Sequence, residues 1–212
     1  MTLYRPTHFR VDDEAELFAF MEQNAFGTLV CDGDGGLVVS HIPFLPKRNP
    51  GGGIRLLGHF ARANPQFEAL ARARNVLAIF QGPHAYVSPT WYVNHPSVPT
   101  WNYSVVHAHG RVRALDEGEL RELLDQLARA YEGDRPGAWR LAEQPEEFVA
   151  KMLRAISGFE MQVERLEGKF KLSQNRPEEI GRVAAALETQ GEGDVAEMMR
   201  AHAPKPRSTI TS

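Results

Sequence analysis

Cysteine is nearly absent: Cys31 is the only one in 212 residues, so no internal disulfide can form. Its place in the apolar run GTLVC reads as a small buried hydrophobe in a reducing compartment. Thiol reactivity is disfavoured there, because it needs electropositive, partly exposed surroundings. Positive charge is not in excess either. A formal net charge of -3 gives no global attraction to phosphate backbones, so nucleic-acid binding would need a local basic patch or a partner. Long apolar runs are missing as well. The opening MTLYRPTHFRVDDEAE has no apolar core of signal-peptide length, and no later run approaches the roughly 20 residues of a membrane span. The expectation is a cytoplasmic, soluble protein. A Gly-x-Ser-x-Gly elbow, a P-loop and a Gly-x-Gly-x-x-Gly turn are also lacking, which leaves hydrolase, NTPase and Rossmann readings without their motifs.

What is present suffices for one good core, since 42% of the residues are hydrophobic. After an extended start, Asp12 to Ala25 places Leu17, Phe18, Phe20 and Met21 at helical spacing. FGTLVCD, GGLVVSHIPFLP and GIRLLGHFA follow as β-rich runs separated by turn residues and read as an antiparallel meander. Ala63 to Asn75 is helical, with Asn64 as N-cap and Pro65 at the first helical position. NVLAIFQG, HAYVSPTWY and WNYSVVHAHGRVRAL resume strands. An amphipathic helix over Asp116 to Glu132, a helix in QPEEFVAKMLRAI and a strand in SGFEMQVERLEGKFKL come next, then two helices from Pro177 onward. Strands in neighbouring runs with helices between and after them predict an antiparallel barrel with helical additions rather than a βαβ sheet.

Four constellations bear on chemistry. GHFARANPQ, Gly58 to Gln66, runs from a strand into a capped helix start. It suits a phosphate held by backbone N–H groups with Arg62 as a charged donor, or it is an ordinarily capped surface helix. VVSHIPF puts Ser40 and His41 inside an apolar strand, where His41 is either a satisfied core histidine or a donor aimed at a ligand ring. His107 and His109 share a strand face, but three or four convergent ligands with a familiar metal spacing are not visible, and no metal is expected. GKFKLSQNR sets Lys169 and Lys171 on one strand face ahead of Ser173, Gln174 and Asn175. A solvated basic edge and a phosphate or oxygen-rich ring suit it equally.

In this order, SHIPF, GHFARANPQ, FQGPHAYVSPTWY, VPTWNYSVVHAHG and GKFKLSQNR resemble the PaiB family of FMN-binding negative transcriptional regulators. The resemblance runs from about Tyr4 to Leu187. It implies the FMN-binding split barrel: mainly β with helical additions, an antiparallel Greek-key barrel that dimerises and holds flavin at the subunit interface. The chain is expected to divide into a split-barrel domain with inserted helices over 1–175, a C-terminal helical extension over 176–203 and a disordered tail over 204–212. By similarity, His59, Ala61, Arg62, Asn64 and Gln66 hold the FMN phosphate and ribityl chain. Ser40 and His41 face the isoalloxazine, and Trp101, Asn102, Lys169 and Gln174 come from the same or the partner chain. Trp91, Tyr92, Trp101 and Tyr103, drawn from the aromatic and proline-rich stretch PTWYVNHPSVPTWNY, are expected to wall the dimer interface.

The implied function is a homodimeric repressor that binds FMN and contacts DNA directly or through a partner protein; the family label is repression of protease and sporulation genes in spore-forming bacteria. Acidic residues in Pro177 to Ala203 weigh against direct contact by those helices. An NAD(P)H-dependent flavin oxidoreductase is the alternative, since the cofactor carries that chemistry without a protein acid or base. A haem-binding relative with His59 or His107 as axial ligand ranks third.

Overall fold

The computed structural model describes residues 2–204; the tail expected to be disordered lies, from residue 205 on, outside the described residues. The elements in chain order are β1 (Arg10–Val11), α1 (Glu14–Gln23), β2 (Phe26–Gly33), β3 (Gly36–Pro43), β4 (Leu45–Arg48), β5 (Ile54–Ala61), α2 (Gln66–Arg72) and β6 (Val76–Val87). They continue with β7 (Thr100–Ala114), α3 (Glu117–Glu132), α4 (Glu146–Arg154), β8 (Ile156–Lys171), α5 (Ile180–Thr189) and α6 (Gly193–Ala201). The strands form one sheet in the order β3-β2-β6-β7-β8-β5-β4, with β1 paired to β8. Every pair of defined register is antiparallel. The path stays open between β3 and β4, and this is the helix-decorated split barrel that the resemblance implies. No helix among the described residues is long and apolar enough to cross a membrane.

Two expectations change. The run GGLVVSHIPFLP is not one strand of a meander: it breaks at Phe44, whose side chain is buried and whose N–H donates to the Ala25 carbonyl at 2.8 Å. The hairpins β2–β3 and β4–β5 therefore fall at opposite ends of the strand order. NVLAIFQG and HAYV instead join into the single strand β6, because the Gly82-Pro83 step stays extended.

The chain divides into two compact units. The first comprises residues up to Asp13, Gln81–Val106 and those from Glu167 on; the second comprises Glu14–Phe80 and His107–Leu166. β6, β7 and β8 contribute residues to both.

In the second unit the core is aromatic. Phe44 meets Phe80 at 5.2 Å and Phe159 at 6.2 Å, and Phe60 stacks on Phe159 at 5.5 Å. Burial of each such ring contributes on the order of 1.5–3 kcal/mol. The packing needs Gly58: a Cβ there would stand 2.7 Å from the Phe159 ring. On the other side of β5, Leu57 joins Leu120, Leu123 and Leu127 of α3, Leu141, and Val149 and Leu153 of α4. The amphipathic spacing of α3 makes that stripe. Its start is fixed by a capping box, Asp116 with Glu119. The Glu119 carboxylate also accepts two Arg113 N–H bonds of 2.8 Å, and that guanidinium holds its pKa down to about 2.

In the first unit β1 pairs with β8 through Arg10↔Lys169, and α5 and α6 pack together. The Asn102 amide, buried on β7, donates to Ser173 Oγ at 3.0 Å and to Met199 Sδ at 3.3 Å. Ser104 reaches Met198 Sδ, and His202 meets Phe170 edge-on at 5.2 Å.

Gly110 admits β7 beside β8, since a Cβ there would lie 2.0 Å from the Gln162 carbonyl oxygen. Gly110→Ala is expected to destabilise the protein by about 1–3 kcal/mol, the usual cost of overpacking. The check is the urea midpoint, and an unchanged midpoint would refute the close approach.

Candidate functional site

The β5–α2 segment is built by local chain chemistry. β5 ends at Ala61, exposed, and the chain turns with the Asn64 N–H donating to the Ala61 carbonyl at 2.8 Å. Asn64 Oδ1 then accepts the Gln66 N–H at 2.9 Å, the capping role read from sequence. The helix that follows is shorter than expected, Gln66–Arg72, because the Ala73 backbone turns extended. The Asn64 amide donates onward to Ser40 Oγ on β3 at 2.9 Å. Thus Ser40, Asn64 and Gln66 form one hydrogen-bonded group.

Gln66 is fully buried and ties two strands together. Its Nε2 donates to the carbonyls of Leu29 and Val38, both at 3.1 Å. Its Oε1 is buried without a hydrogen-bond partner among the described residues, and so is Nδ1 of His59. Two such atoms on one segment of eight residues are costly unless something else satisfies them. Arg62 is turned elsewhere: Nε donates to the Arg154 carbonyl at 2.7 Å and Nη2 to that of Ile156 at 2.9 Å. Beside it lies a recess of about 120 Å³, lined by Arg62, Phe67, Leu120, Arg154 and Ser157 among others. The Ser157 hydroxyl is buried and also lacks a partner among the described residues. His41 stands exposed on β3, its Nδ1 2.9 Å from Thr28 Oγ1. His107 and His109 place their rings 6.4 Å apart on β7.

The other four expected residues belong to the first unit. Asn102 and Gln174 are engaged internally: Gln174 donates to the Phe170 carbonyl at 2.7 Å and accepts the Leu172 N–H at 2.8 Å. Trp101 is 54% exposed. Lys169 is buried, its ammonium 5.2 Å from the Tyr4 ring and 5.3 Å from the Tyr103 ring.

Of the four aromatic residues expected to form a wall, Tyr92 is buried with Arg176 4.9 Å over its ring, Trp91 and Tyr103 are half-buried, and Trp101 stands open. The loop after Tyr92 is fastened by buried Glu179, which accepts the N–H groups of Val93 and Asn94 at 2.8 and 2.9 Å. The Val93 bond, with those from Asn94, holds its carboxyl below the usual range. Sequence reasoning missed Ser157, Tyr4, His84 and Tyr86. Only Tyr86 carried a signal, its alternation with buried Ala85 and Val87.

A sheet of this order, open between its first and last strands, defines a split-barrel protein. The chain belongs to the PaiB family: residues 3–165 match the family model described as "Putative FMN-binding domain". It is 36% identical over 176 residues to Protease synthase and sporulation protein PAI 2 of Bacillus subtilis, a match that covers 83% of this chain and 84% of that one. Among solved structures, the flavocytochrome Anf3 from Azotobacter vinelandii is similar with a TM-score of 0.62 and 17% identity, covering 79% of this chain and 72% of that chain. An FAD and heme binding protein from Mycobacterium smegmatis gives a TM-score of 0.59 at 17% identity, covering 76% and 73%. At such identities the likeness is one of fold.

Burial pushes the His59 imidazole below its ordinary pKa of 6.5, so the folded protein holds it neutral near neutral pH. Between that lowered value and 6.5 the unfolded chain binds more protons than the folded one, so stability falls as pH falls through this window. His59→Gln is expected to flatten that loss. The measurement is the urea midpoint of both proteins from about pH 7 to about pH 5; equal slopes would refute it.

Proposed function

We propose that the protein is a homodimeric, cytoplasmic, FMN-binding transcriptional regulator. The observation that carries flavin binding is the pair of unpaired buried atoms, His59 Nδ1 and Gln66 Oε1, on the β5–α2 segment of a chain that belongs to an FMN-binding family. A phosphate and a polyhydroxylated chain offer the donors and acceptors such atoms need, so the residues present fit the cofactor. In this reading His59, Ala61, Asn64 and Gln66 hold the phosphate and ribityl chain, Ser40 and His41 face the ring, and Trp101, Asn102, Lys169 and Gln174 come from the same or the partner chain. Asn64 and Gln66 fix the segment by their bonds to β2 and β3. Arg62 anchors it to the carbonyls of Arg154 and Ile156. Half-buried and neutral, His59 accepts or donates one hydrogen bond at its buried Nδ1 without adding charge. Bound FMN supplies reversible electron transfer.

The dimer rests on the outward face of β2 and β3. Phe26, Leu37 and Val39 are 69%, 62% and 50% exposed. The register places Val30 opposite both Val39 and Leu77, which extends the same apolar face, with Ile79 beside it and the hydrogen-bonded Thr28 and His41 as its polar part. An exposed patch of this kind marks a protein interface, and a second copy is the occupant proposed. The regulatory role is supported by similarity to PAI 2, whose name ties that protein to protease synthesis and sporulation. With a net charge of -3, contact with DNA runs through a local patch or a partner protein.

Titration of the purified protein with FMN, followed by flavin absorption near roughly 450 nm, should give one FMN per chain. Asn64→Ala should weaken binding about tenfold, through loss of the bonds that position the segment. Failure of the wild type to take up FMN would refute the cofactor assignment. Val39→Glu should yield monomers by light scattering, and an intact dimer would exclude this face. A gel shift at low salt with the protein's own promoter region reads out the DNA contact, and no shift would remove its direct form.

A further inference from the structure

Within the second unit a recess of about 500 Å³ opens over β4. That volume falls in the range of about 300–1,000 Å³ common to small-molecule sites. Three elements line it. Phe18 and Glu22 stand one helical turn apart on α1 and share a face, while Leu45 and Lys47 alternate onto one face of β4. Tyr131, in the last turn of α3, is 61% exposed, and buried Phe44 completes the lining. The described residues that line the recess include none of those assigned to the flavin, and none of Phe26, Leu37 and Val39.

The charges at the recess are of two kinds. Arg48 also borders it, but that guanidinium is engaged: Nη1 donates to Glu14 Oε1 at 3.0 Å, and the group lies 4.4 Å over the Phe18 ring. Lys47 is half-buried and Glu22 exposed, and neither side chain forms an ion pair or a hydrogen bond among the described residues. One ammonium and one carboxylate are therefore left over beside three aromatic rings. The C-terminal turn of α3 adds the negative pole of its dipole, which favours a cation. A purely anionic ligand at Lys47 would meet the like charge of Glu22, and a purely cationic ligand at Glu22 would meet that of Lys47. A zwitterion satisfies both.

We propose that this recess binds a free aromatic amino acid, its carboxylate at Lys47, its ammonium at Glu22 and its ring among Phe18, Phe44 and Tyr131. Aromatic rings supply large contact area and favour a planar partner in offset or edge-to-face packing. The two free charges of opposite sign fix which end of the ligand points where. The proposal goes beyond the flavin reading and does not rest on it, since the two sites share no residue.

The test is calorimetric titration of L-tryptophan into the full-length protein, with and without saturating FMN. One L-tryptophan per chain, bound equally well in both conditions, is expected. Tyr131→Ala and Lys47→Gln should each weaken binding about tenfold, and Tyr131→Phe should restore most of the first loss. Glu22→Gln, at an exposed position, should weaken it about threefold. Indole-3-propionate, which lacks the ammonium, and tryptamine, which lacks the carboxylate, should each bind the wild type about tenfold more weakly than L-tryptophan. Both comparisons use the unaltered chain, so they stay readable even where a variant folds poorly. No binding at millimolar L-tryptophan, or no effect of Tyr131→Ala in a protein of unchanged thermal unfolding, would overturn the proposal. Either analogue binding as tightly as L-tryptophan would overturn the zwitterion. Displacement of L-tryptophan by FMN one for one would place it in the flavin site and also overturn the proposal. Failure of FMN to bind leaves the L-tryptophan titration intact, so the two readings fail separately.

Discussion

The contact on which the second unit depends is Phe159 lying against the bare Cα of Gly58. It brings β5 and β8 into register, His59↔Gly158 and Leu57↔Glu160, and lets Phe44, Phe60 and Phe80 close around one ring. With that spacing set, alternation along β5 sends Phe60 inward and Leu57 under the leucines of α3. His59 is carried to its half-buried position by the same alternation. A larger residue at position 58 would separate the strands and move the candidate site with them.

The site follows from this frame through polar rather than apolar contacts. Gln66 holds β2 and β3 by their carbonyls, and Asn64 holds Ser40. A helix of seven residues has little independent stability, so these side-chain bonds, rather than helix propensity, fix where α2 begins. What they leave over is the unpaired capacity of His59 and Gln66. That excess is the physical ground for expecting a polar ligand, since hydrogen-bonding groups buried without partners are uncommon in stable folds.

The two units use the alternating strand pattern differently. In the second, the outward face of β2 and β3 carries exposed Phe26, Leu37 and Val39 beside Thr28 and His41. In the first, exposed or half-buried Tyr86, Trp101 and Tyr103 alternate with buried Ala85, Asn102 and Ser104 along β6 and β7. Each of these strands therefore has one face packed inward and one turned outward, and its residues change role every second position.

Much of this was legible in the sequence. Periodicity marked the amphipathic stripe of α3, the Asn64 cap and the six main helices. The ordered motifs from SHIPF to GKFKLSQNR pointed to the family, whose fold they imply. Local rules reach that far because caps, turns and alternation act over a few neighbouring residues. The break at Phe44, the placing of the two hairpins at opposite ends of the sheet, and the turning of Arg62 toward the carbonyls of Arg154 and Ile156 were not legible. Each is decided by a partner some distance away in the chain: the carbonyl of Ala25, the edge of β8, the end of α4. Neighbouring residues settle which positions alternate and which are capped. Which polar atoms stay without a partner among the described residues is settled by the folded chain, because satisfaction of a buried group depends on every segment that folds against it.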